Sequence, residues 1–144
     1  MNYVAPEVIV GRRMHFYYSG WKFTHGVNDN PAGIGLATLP LDRIVSIEPE
    51  STRGTLTTRL MRFQGERLEV NVDADDGRLN VEVLDEAGQV VPGFDAGACR
   101  TISSDSRHRR VRWRRQKLKQ LAGQRVRLRF HLAEDCRLFG FRCR

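Results

Sequence analysis

Apolar and polar residues alternate along the stretch Gly54–Glu86, which predicts β-strands in this part of the chain. In Leu68–Asp73 and again in Leu79–Val83, every second side chain is apolar, as expected for strands with one buried and one solvated face. Between them lies Asp75-Asp76-Gly77, and Asp-Gly is a strong signal for a tight hairpin turn. Together with Leu56–Phe63, these segments predict a three-stranded antiparallel meander, which needs a second layer to cover its apolar face.

Short β-prone segments separated by turn residues occupy the rest of the chain. We predict strands or short edge segments at Glu7–Val10, Met14–Ser19, Gly35–Leu39, Arg43–Ile47, Gln89–Pro92, Arg100–Ser103, Arg110–Arg114, Arg125–Leu132 and Leu138–Arg142. The abundance of Gly, Asn, Asp and Pro in Gly20–Gly33 predicts a loop, and Gln116–Leu121 is predicted to be a short helical turn or irregular. This arrangement predicts an all-β fold, an antiparallel β-sandwich of jelly-roll type.

The length of the chain, 144 residues with 40% apolar side chains, suits one domain with a hydrophobic core and is too short for two. No apolar run approaches the roughly 18–20 residues that cross a bilayer, so we expect a soluble domain with no membrane partner. The N-terminal sequence MNYVAPEVIVGRR lacks the basic start and long apolar core of a signal peptide. The sequence therefore names no compartment.

The formal net charge is +7, from 24 Lys and Arg against 17 Asp and Glu, and much of the excess lies in Arg107–Lys119. In the favoured interpretation, Arg110–Arg114 is a strand whose Val111 and Trp113 face inward while its arginines are solvated. In the alternative, clustered arginines bind a nucleic acid or another polyanion. The candidate anion-binding residues are Arg107, Arg110, Arg112, Arg114 and Arg115. Nucleic acid is the less favoured partner because no nucleic-acid-binding motif accompanies them.

Motifs for catalysis, metal binding or cofactor binding are missing from the sequence. The four histidines lie in different segments, and the three cysteines have no CxxC spacing, which predicts buried free thiols. GxSxG, P-loop and GxGxxG sequences are absent. The acidic cluster of Asp73, Asp75 and Asp76 suits a calcium ion in one interpretation and a solvated turn in the favoured one. The sequence thus nominates no catalytic residue, no metal ligand and no cofactor.

The aromatic segment around the predicted loop is the most distinctive surface candidate. Aromatic rings stack on the apolar faces of sugars, while amides and carboxylates bind sugar hydroxyl groups. The candidate carbohydrate-binding residues are Tyr17, Tyr18, Trp21, His25, Asn28 and Asp29. The alternative is that the Tyr and Trp side chains pack in the core or contact another domain.

An ordered series of short motifs resembles one group of proteins. The motifs are Tyr17-Tyr18-Ser19-Gly20, Gly33-Ile34-Gly35-Leu36-Ala37, Leu41-Asp42-Arg43-Ile44-Val45-Ser46, Gly54-Thr55-Leu56-Thr57-Thr58, Leu68-Glu69-Val70-Asn71, Gly77-Arg78-Leu79-Asn80-Val81, Val111-Arg112-Trp113, Val126-Arg127-Leu128-Arg129-Phe130 and Leu138-Phe139-Gly140-Phe141. The series resembles the C-terminal region of five-bladed-propeller glycoside hydrolases, the sucrase/fructosidase-like and arabinanase-like group, in which a β-sandwich follows the catalytic propeller. The order of the motifs carries the resemblance, rather than any single motif.

The resemblance implies two regions. Residues 1–40 are expected to be N-terminal strands and a loop similar to the end of a propeller, packed on the sandwich, and residues 41–144 are expected to be the β-sandwich domain. The catalytic acids of those enzymes lie on blades that are not in this sequence, so the resemblance implies a non-catalytic accessory module. Its expected role is contact with another protein domain or a second copy of the chain, together with carbohydrate binding. The alternatives are a lectin-like carbohydrate-binding module and a basic protein that binds polyanions or nucleic acid.

Overall fold

A computed structural model describes residues 6–24, 26 and 31–144 of the chain. Its strands are β1 (Val8–Val10), β2 (Arg13–Trp21), β3 (Ala32–Pro40), β4 (Arg53–Thr57), β5 (Met61–Arg62), β6 (Leu68–Asp73), β7 (Gly77–Leu84), β8 (Ser106–Arg110), β9 (Arg125–Glu134) and β10 (Arg137–Cys143). All of these strands pair in antiparallel fashion, which confirms the predicted all-β class. A single 3₁₀ turn, Leu118–Leu121, lies in the predicted helical segment. Within the described ranges, no helix is long and apolar enough to cross a membrane.

Two compact units make up the chain, Met1–Ile44 and Val45–Arg144. The first contains a three-stranded sheet in the order β1-β2-β3, and β2 and β3 pair from Arg13↔Pro40 to Trp21↔Ala32. Both strands extend into Gly20–Gly33, so the predicted loop is too long at both ends. Glycine donates and accepts ladder hydrogen bonds like other residues, and pairing outweighs its turn preference here.

The second unit contains two sheets that enclose one core. One sheet has the order β10-β6-β8; in the other, β9 pairs with β7 along one edge and with β4 and β5 along the opposite edge. Inward and outward residues alternate along β6 and β9, and the inward side chains are buried. Side chains from both sheets form a single cluster with Phe63, Phe94 and Trp113. The two sheets therefore face each other as a sandwich.

The predicted meander is wrong, because its strands do not pair with one another. β6 pairs with β10 and β8, whereas β7 pairs with β9. The turn Asp75-Asp76-Gly77 therefore connects strands of two opposing sheets and does not form a hairpin. The predicted strand Leu56–Phe63 is divided between β4 and β5. Alternation correctly identified the buried face of each strand, and Val70, Val72 and Val81 are fully buried. It does not specify strand neighbours, because both sheets bury their apolar faces in the same core.

Several other predicted strands are reduced or displaced. In the described chain, Arg43–Ile47, Gln89–Pro92 and Arg100–Ser103 contribute only isolated bridges, through Ile47, Val90 and Ile102. β8 ends at Arg110, where the predicted strand Arg110–Arg114 begins, and Trp113 then forms a single bridge with Cys99. Proline and glycine close to Arg43–Ile47 and Gln89–Pro92 limit the length over which these two segments can pair.

The bridges at Ile47 and Ile102 extend the two sheets at their edges. Ile47 pairs with Leu138 of β10, and Ile102 pairs with Leu79 of β7. With them, the sheets have the orders Ile47-β10-β6-β8 and β4/β5-β9-β7-Ile102. This alternation of strands between two sheets is compatible with a jelly roll. The jelly-roll type stays a prediction, because two of its strands would be single bridges.

Candidate functional site

The predicted carbohydrate-binding aromatics are divided between the two faces of β2. Tyr17 and Trp21 share one face and Tyr18 lies on the other, because side chains alternate along a strand. Tyr18 lies over Gly35 of β3, where an added side chain would collide with its ring. The three rings are 41%, 44% and 45% exposed, for Tyr17, Trp21 and Tyr18 respectively. The other predicted residues, His25, Asn28 and Asp29, lie outside the described residues.

The face that carries Tyr17 and Trp21 exposes several apolar side chains, although His15 and Thr38 also lie on it. The strand register puts Ile34 and Leu36 of β3 and Val8 of β1 on the same face. Ile34 is 84% exposed, and Leu36 and Val8 are about half exposed. Contiguous exposed apolar side chains of this kind are typical of contact surfaces for other proteins.

The arginines of the predicted anion-binding set are separated by buried residues. Val111 and Trp113 are 2% and 5% exposed, whereas Arg110, Arg112 and Arg114 are exposed. The predicted inward and outward positions are therefore confirmed, although the regular strand ends at Arg110.

Trp113 anchors this segment to the core. Its Nε1 donates a hydrogen bond to the carbonyl oxygen of Val81 at 3.1 Å, and its ring meets the ring of Phe94 edge-on, with 5.3 Å between centroids. An indole buried with its N–H satisfied is a rigid anchor. Arg112 and Arg114 flank it, so their outward direction is fixed by the core.

A cleft of about 810 Å³ opens on the outer face of the sheet formed by β4, β9 and β7. Two cross-strand rows form its floor. In the order β4, β9, β7, the first row is Arg53, Ala133 and Arg78, and the second is Thr55, His131 and Asn80. Each row combines polar or basic side chains from β4 and β7.

Beyond β7, the segment of residues 96–101 forms the wall of the cleft. Asn80 Nδ2 donates to the carbonyl oxygen of Ala96 at 3.2 Å and to Thr101 Oγ1 at 3.0 Å, which ties the wall to the floor. Cys99 also lines the cleft, but burial raises the pKa of its thiol. Its sulfur is therefore protonated at neutral pH, and it is not a thiolate nucleophile.

The cleft is positively charged. Four arginines line it, and Arg78 pairs with Glu134. In the part of the chain that the structure describes, no carboxylate pairs with Arg53, Arg100 or Arg114. No Asp or Glu is among the residues that line the cleft. Guanidinium groups without counter-charges in a concave site attract anions.

The next row of the same sheet is electrically balanced. Glu82 is 7% exposed, and its Oε1 lies 2.8 Å from Arg129 Nη1. Arg129 Nε also donates to Thr57 Oγ1 at 3.2 Å. The buried His131 Nε2 lies 3.2 Å from the same carboxylate oxygen but is not aligned for a hydrogen bond. This row therefore adds no uncompensated charge to the cleft.

A second cleft of about 340 Å³ adjoins the first, because Arg100 and Thr101 line both. The smaller cleft also contains arginines of β8 and of the segment after it. We call the arginines of both clefts the arginine surface: Arg53, Arg78, Arg100, Arg109, Arg110, Arg112 and Arg114. Arg107 and Arg115 of the predicted set are among the lining residues of neither cleft.

Arg53, Arg78 and Arg100 were not predicted to bind anions, because they lie outside the basic segment Arg107–Lys119. Their convergence depends on the pairing of β4 and β7 with β9, which alternation does not reveal. The sequence contains only a local indication of the floor of the cleft. Arg53 lies two positions before Thr55, and Arg78 lies two positions before Asn80, so each pair falls on one face of its strand.

The acidic cluster considered for calcium and the three cysteines lie outside both clefts, apart from Cys99. Among the described residues, no group of three His, Cys, Asp or Glu side chains is arranged to hold a metal ion. Asp75, from the cluster considered for calcium, accepts a hydrogen bond from the backbone N–H of Asp105 at 2.8 Å. The three thiols are free; Cys99 and Cys136 are buried as predicted, and Cys143 is half-buried.

Comparison with known proteins gave no relative: no family model, no curated protein and no solved structure matches the chain. The resemblance to propeller-linked sandwich domains stays a hypothesis.

Proposed function

We propose that the protein is a non-catalytic β-sandwich accessory module that binds an acidic polysaccharide through its arginine surface. The observation that carries this proposal is the concentration of seven arginines around two adjoining clefts, with Arg78 paired to Glu134. A polymer with regularly spaced negative charges can contact both clefts at once, because Arg100 belongs to each. Binding then releases counterions and gains free energy in proportion to the number of contacts.

The lining of the clefts favours a polysaccharide over a nucleic acid. Among the residues that the structure describes, no Phe, Tyr or Trp lines either cleft, and these are the side chains on which unpaired bases stack. Thr55, Asn80 and Thr101 instead offer hydroxyl and amide groups, which suit a ligand rich in hydroxyls. Acidic polysaccharides carry both anionic groups and hydroxyls.

Two observations support a role without catalysis. Glycoside hydrolysis usually requires two carboxyl groups across the scissile bond, and no Asp or Glu of the described ranges lines either cleft. The resemblance to the sandwich that accompanies a catalytic propeller is also to a non-catalytic region. An accessory module of this kind would hold a polymer near separate catalytic machinery.

The proposal is tested by measuring the affinity for polygalacturonate, and for single-stranded DNA as the rival, over a series of salt concentrations. We expect polygalacturonate to bind more tightly than DNA, with an affinity that falls linearly on a log–log plot against salt. The double variant Arg100→Gln, Arg112→Gln should weaken binding by about tenfold or more, since hydrogen bonds to charged groups are strong.

The matched control is the double variant Arg59→Gln, Arg62→Gln, which removes the same charge from exposed positions outside both clefts. Its affinity should stay within about twofold of the original protein, because distant charges are screened. Equal losses in both double variants, tighter binding of DNA, or no binding of either polymer at low salt would overturn the proposal.

A second candidate role is self-association through the apolar face of the β1-β2-β3 sheet, favoured by the exposure of Ile34, Trp21 and Val8. The same patch on two copies would form a two-fold interface. Ile34→Asp should then shift the mass measured by sedimentation from dimer to monomer. Val45→Asp, at a position 73% exposed in the other unit, should leave the mass unchanged. If the original protein is a monomer at high concentration, self-association through this face is ruled out.

A further inference from the structure

The larger cleft has the dimensions of a small-molecule site. Its volume of about 810 Å³ falls within the range of pockets that enclose small ligands. The floor is built on β-strands, and Asn80 ties it to the wall through two hydrogen bonds from the same nitrogen. Sites on paired strands hold their geometry better than sites on loops, so this cleft is preformed.

One end of the cleft is suited to an oxyanion. In the row nearest that end, Arg53 and Arg78 stand on either side of Ala133, whose methyl group leaves space between them. Their strands are separated by one intervening strand, so their Cα atoms lie about 10 Å apart. Arg53 can approach an anion placed between them, and Arg78, whose Nη2 contacts Glu134, has further guanidinium N–H groups that can donate to it. Arg53 has no carboxylate partner in the described chain, and its planar fork matches a carboxylate or a phosphate.

The next row along the strands offers neutral hydrogen-bonding groups. It lies about 7 Å away from the first, two residues along each strand. Thr55 contributes a hydroxyl from β4. The Thr101 hydroxyl accepts its hydrogen bond from Asn80, so its own hydrogen is available to donate to a ligand.

The row after that cannot extend the anion site. Its carboxylate, Glu82, is nearly buried and paired with Arg129, which is itself held by Thr57. A second negative group over this row would lie close to Glu82. On the floor of the cleft, the unpaired cation is therefore Arg53 at the Ala133 end, and the hydroxyl groups lie beside His131; Arg100 and Arg114 line the cleft outside its floor.

We propose that this cleft binds a single acidic sugar unit, a polyhydroxylated ring bearing one carboxylate or phosphate. The inference rests on the proposed function and deepens it by naming the unit that the larger cleft selects. A uronic acid and a sugar phosphate share this chemistry, and either one places its anion between Arg53 and Arg78 and its hydroxyls against Thr55 and Thr101.

The test is a calorimetric titration of the full chain with galacturonate, glucose 6-phosphate, galactose and inorganic phosphate at fixed ionic strength. We expect at least one acidic sugar to bind and galactose to show no measurable binding. Inorganic phosphate should bind at least about tenfold more weakly than the better acidic sugar, because it makes no ring contacts. The better of the two acidic sugars identifies the source of the anion.

Matched variants test whether the anion lies in the larger cleft. Arg53→Gln should weaken binding of the acidic sugar by about tenfold or more, whereas Arg59→Gln, at an exposed position outside both clefts, should change it by less than about twofold. Circular dichroism of both variants checks that each remains folded. If Arg53→Gln unfolds the protein, Thr55→Val supplies the second test. We expect Thr55→Val to weaken the binding of the acidic sugar and to leave the affinity for inorganic phosphate unchanged.

The outcomes distinguish this inference from the proposed function. Polygalacturonate binding that depends on Arg100 and Arg112, without binding of either acidic sugar, overturns the inference and leaves the proposed function standing. Binding of inorganic phosphate as tight as that of the sugars also overturns the inference. If the original protein binds no polymer at low salt, the proposed function itself is contradicted.

Discussion

At the residue scale, Gly77 is a position where the fold depends on the absence of a side chain. It begins β7, and a Cβ added there would lie 2.6 Å from the backbone nitrogen of Cys136 and 2.8 Å from the carbonyl oxygen of Ala133. Ala133 belongs to β9, and the backbone N–H of Cys136 donates a hydrogen bond to the carbonyl oxygen of Glu134 in the turn after it, so neither can move aside cheaply. We expect Gly77→Ala to lower the free energy of unfolding by about 2 kcal/mol, measured by urea denaturation.

Gly140 provides the matched control for this prediction. It also lies in a strand of the second unit, but an added Cβ there would meet nothing within 4 Å. Gly140→Ala should change the free energy of unfolding by less than about 1 kcal/mol, and reduced freedom of the unfolded chain favours stabilisation. Equal effects of the two substitutions would show that crowding at Gly77 is not the cause.

The burial of individual side chains was largely predictable from the sequence, whereas the convergence of distant side chains on the cleft was not. Val111 and Trp113 were assigned to the interior by alternation, and both are buried. Arg53 and Arg78 lie just before the predicted strands Leu56–Phe63 and Leu79–Val83 and were assigned to neither face. Nothing in their own segments indicates that one strand, β9, lies between them, and this arrangement creates the cleft.

At the element scale, the sheet that contains β6 is reinforced on its outer face by charge. Glu69 of β6 lies opposite Arg142 of β10, and their side chains approach to 2.8 Å. The hydrogen bond from Arg142 holds the pKa of Glu69 below its ordinary value of 4.5. A carboxylate whose pKa is lowered by folding stabilises the folded state above its unfolded pKa, and this contribution is lost as pH falls through the folded pKa.

We therefore expect Glu69→Gln to be less stable than the original protein at neutral pH and equally stable at acidic pH below the folded pKa of Glu69. The measurement is the difference between the urea midpoints of the two proteins as pH is lowered. Glu50→Gln, at an exposed carboxylate without an ion pair among the described residues, should give a smaller difference at neutral pH. A deficit in Glu69→Gln that is independent of pH would indicate lost packing rather than a lost ion pair.

Strand type was predictable at this scale, but strand pairing was not. The periodicity of β6, β7 and β9 was clear because each has one face in the core. The Asp-Gly turn before β7 suggested a hairpin, yet the chain uses it to cross between sheets. Local turn preferences fix the sharpness of a bend, and the competition among long-range pairings decides which strands become neighbours.

At the scale of the whole molecule, the buried core belongs to one of the two compact units. Every side chain of the main hydrophobic cluster falls within Val45–Arg144, from Phe63 to Leu138. The seven residues of the arginine surface belong to the same unit. A continuous core of this kind is the main requirement for independent folding.

We therefore expect a fragment of residues 45–144 to fold without the first unit and to retain binding to polygalacturonate. Trp113 is its one tryptophan, since Trp21 lies in the first unit, so its fluorescence reports on the sandwich core without interference. A single cooperative urea transition, seen both by this fluorescence and by circular dichroism, is the expected result. If the fragment lacks such a transition while the full chain shows one, the two units fold as one cooperative structure. If the fragment folds but no longer binds the polymer, the first unit supplies contacts that the arginine surface does not.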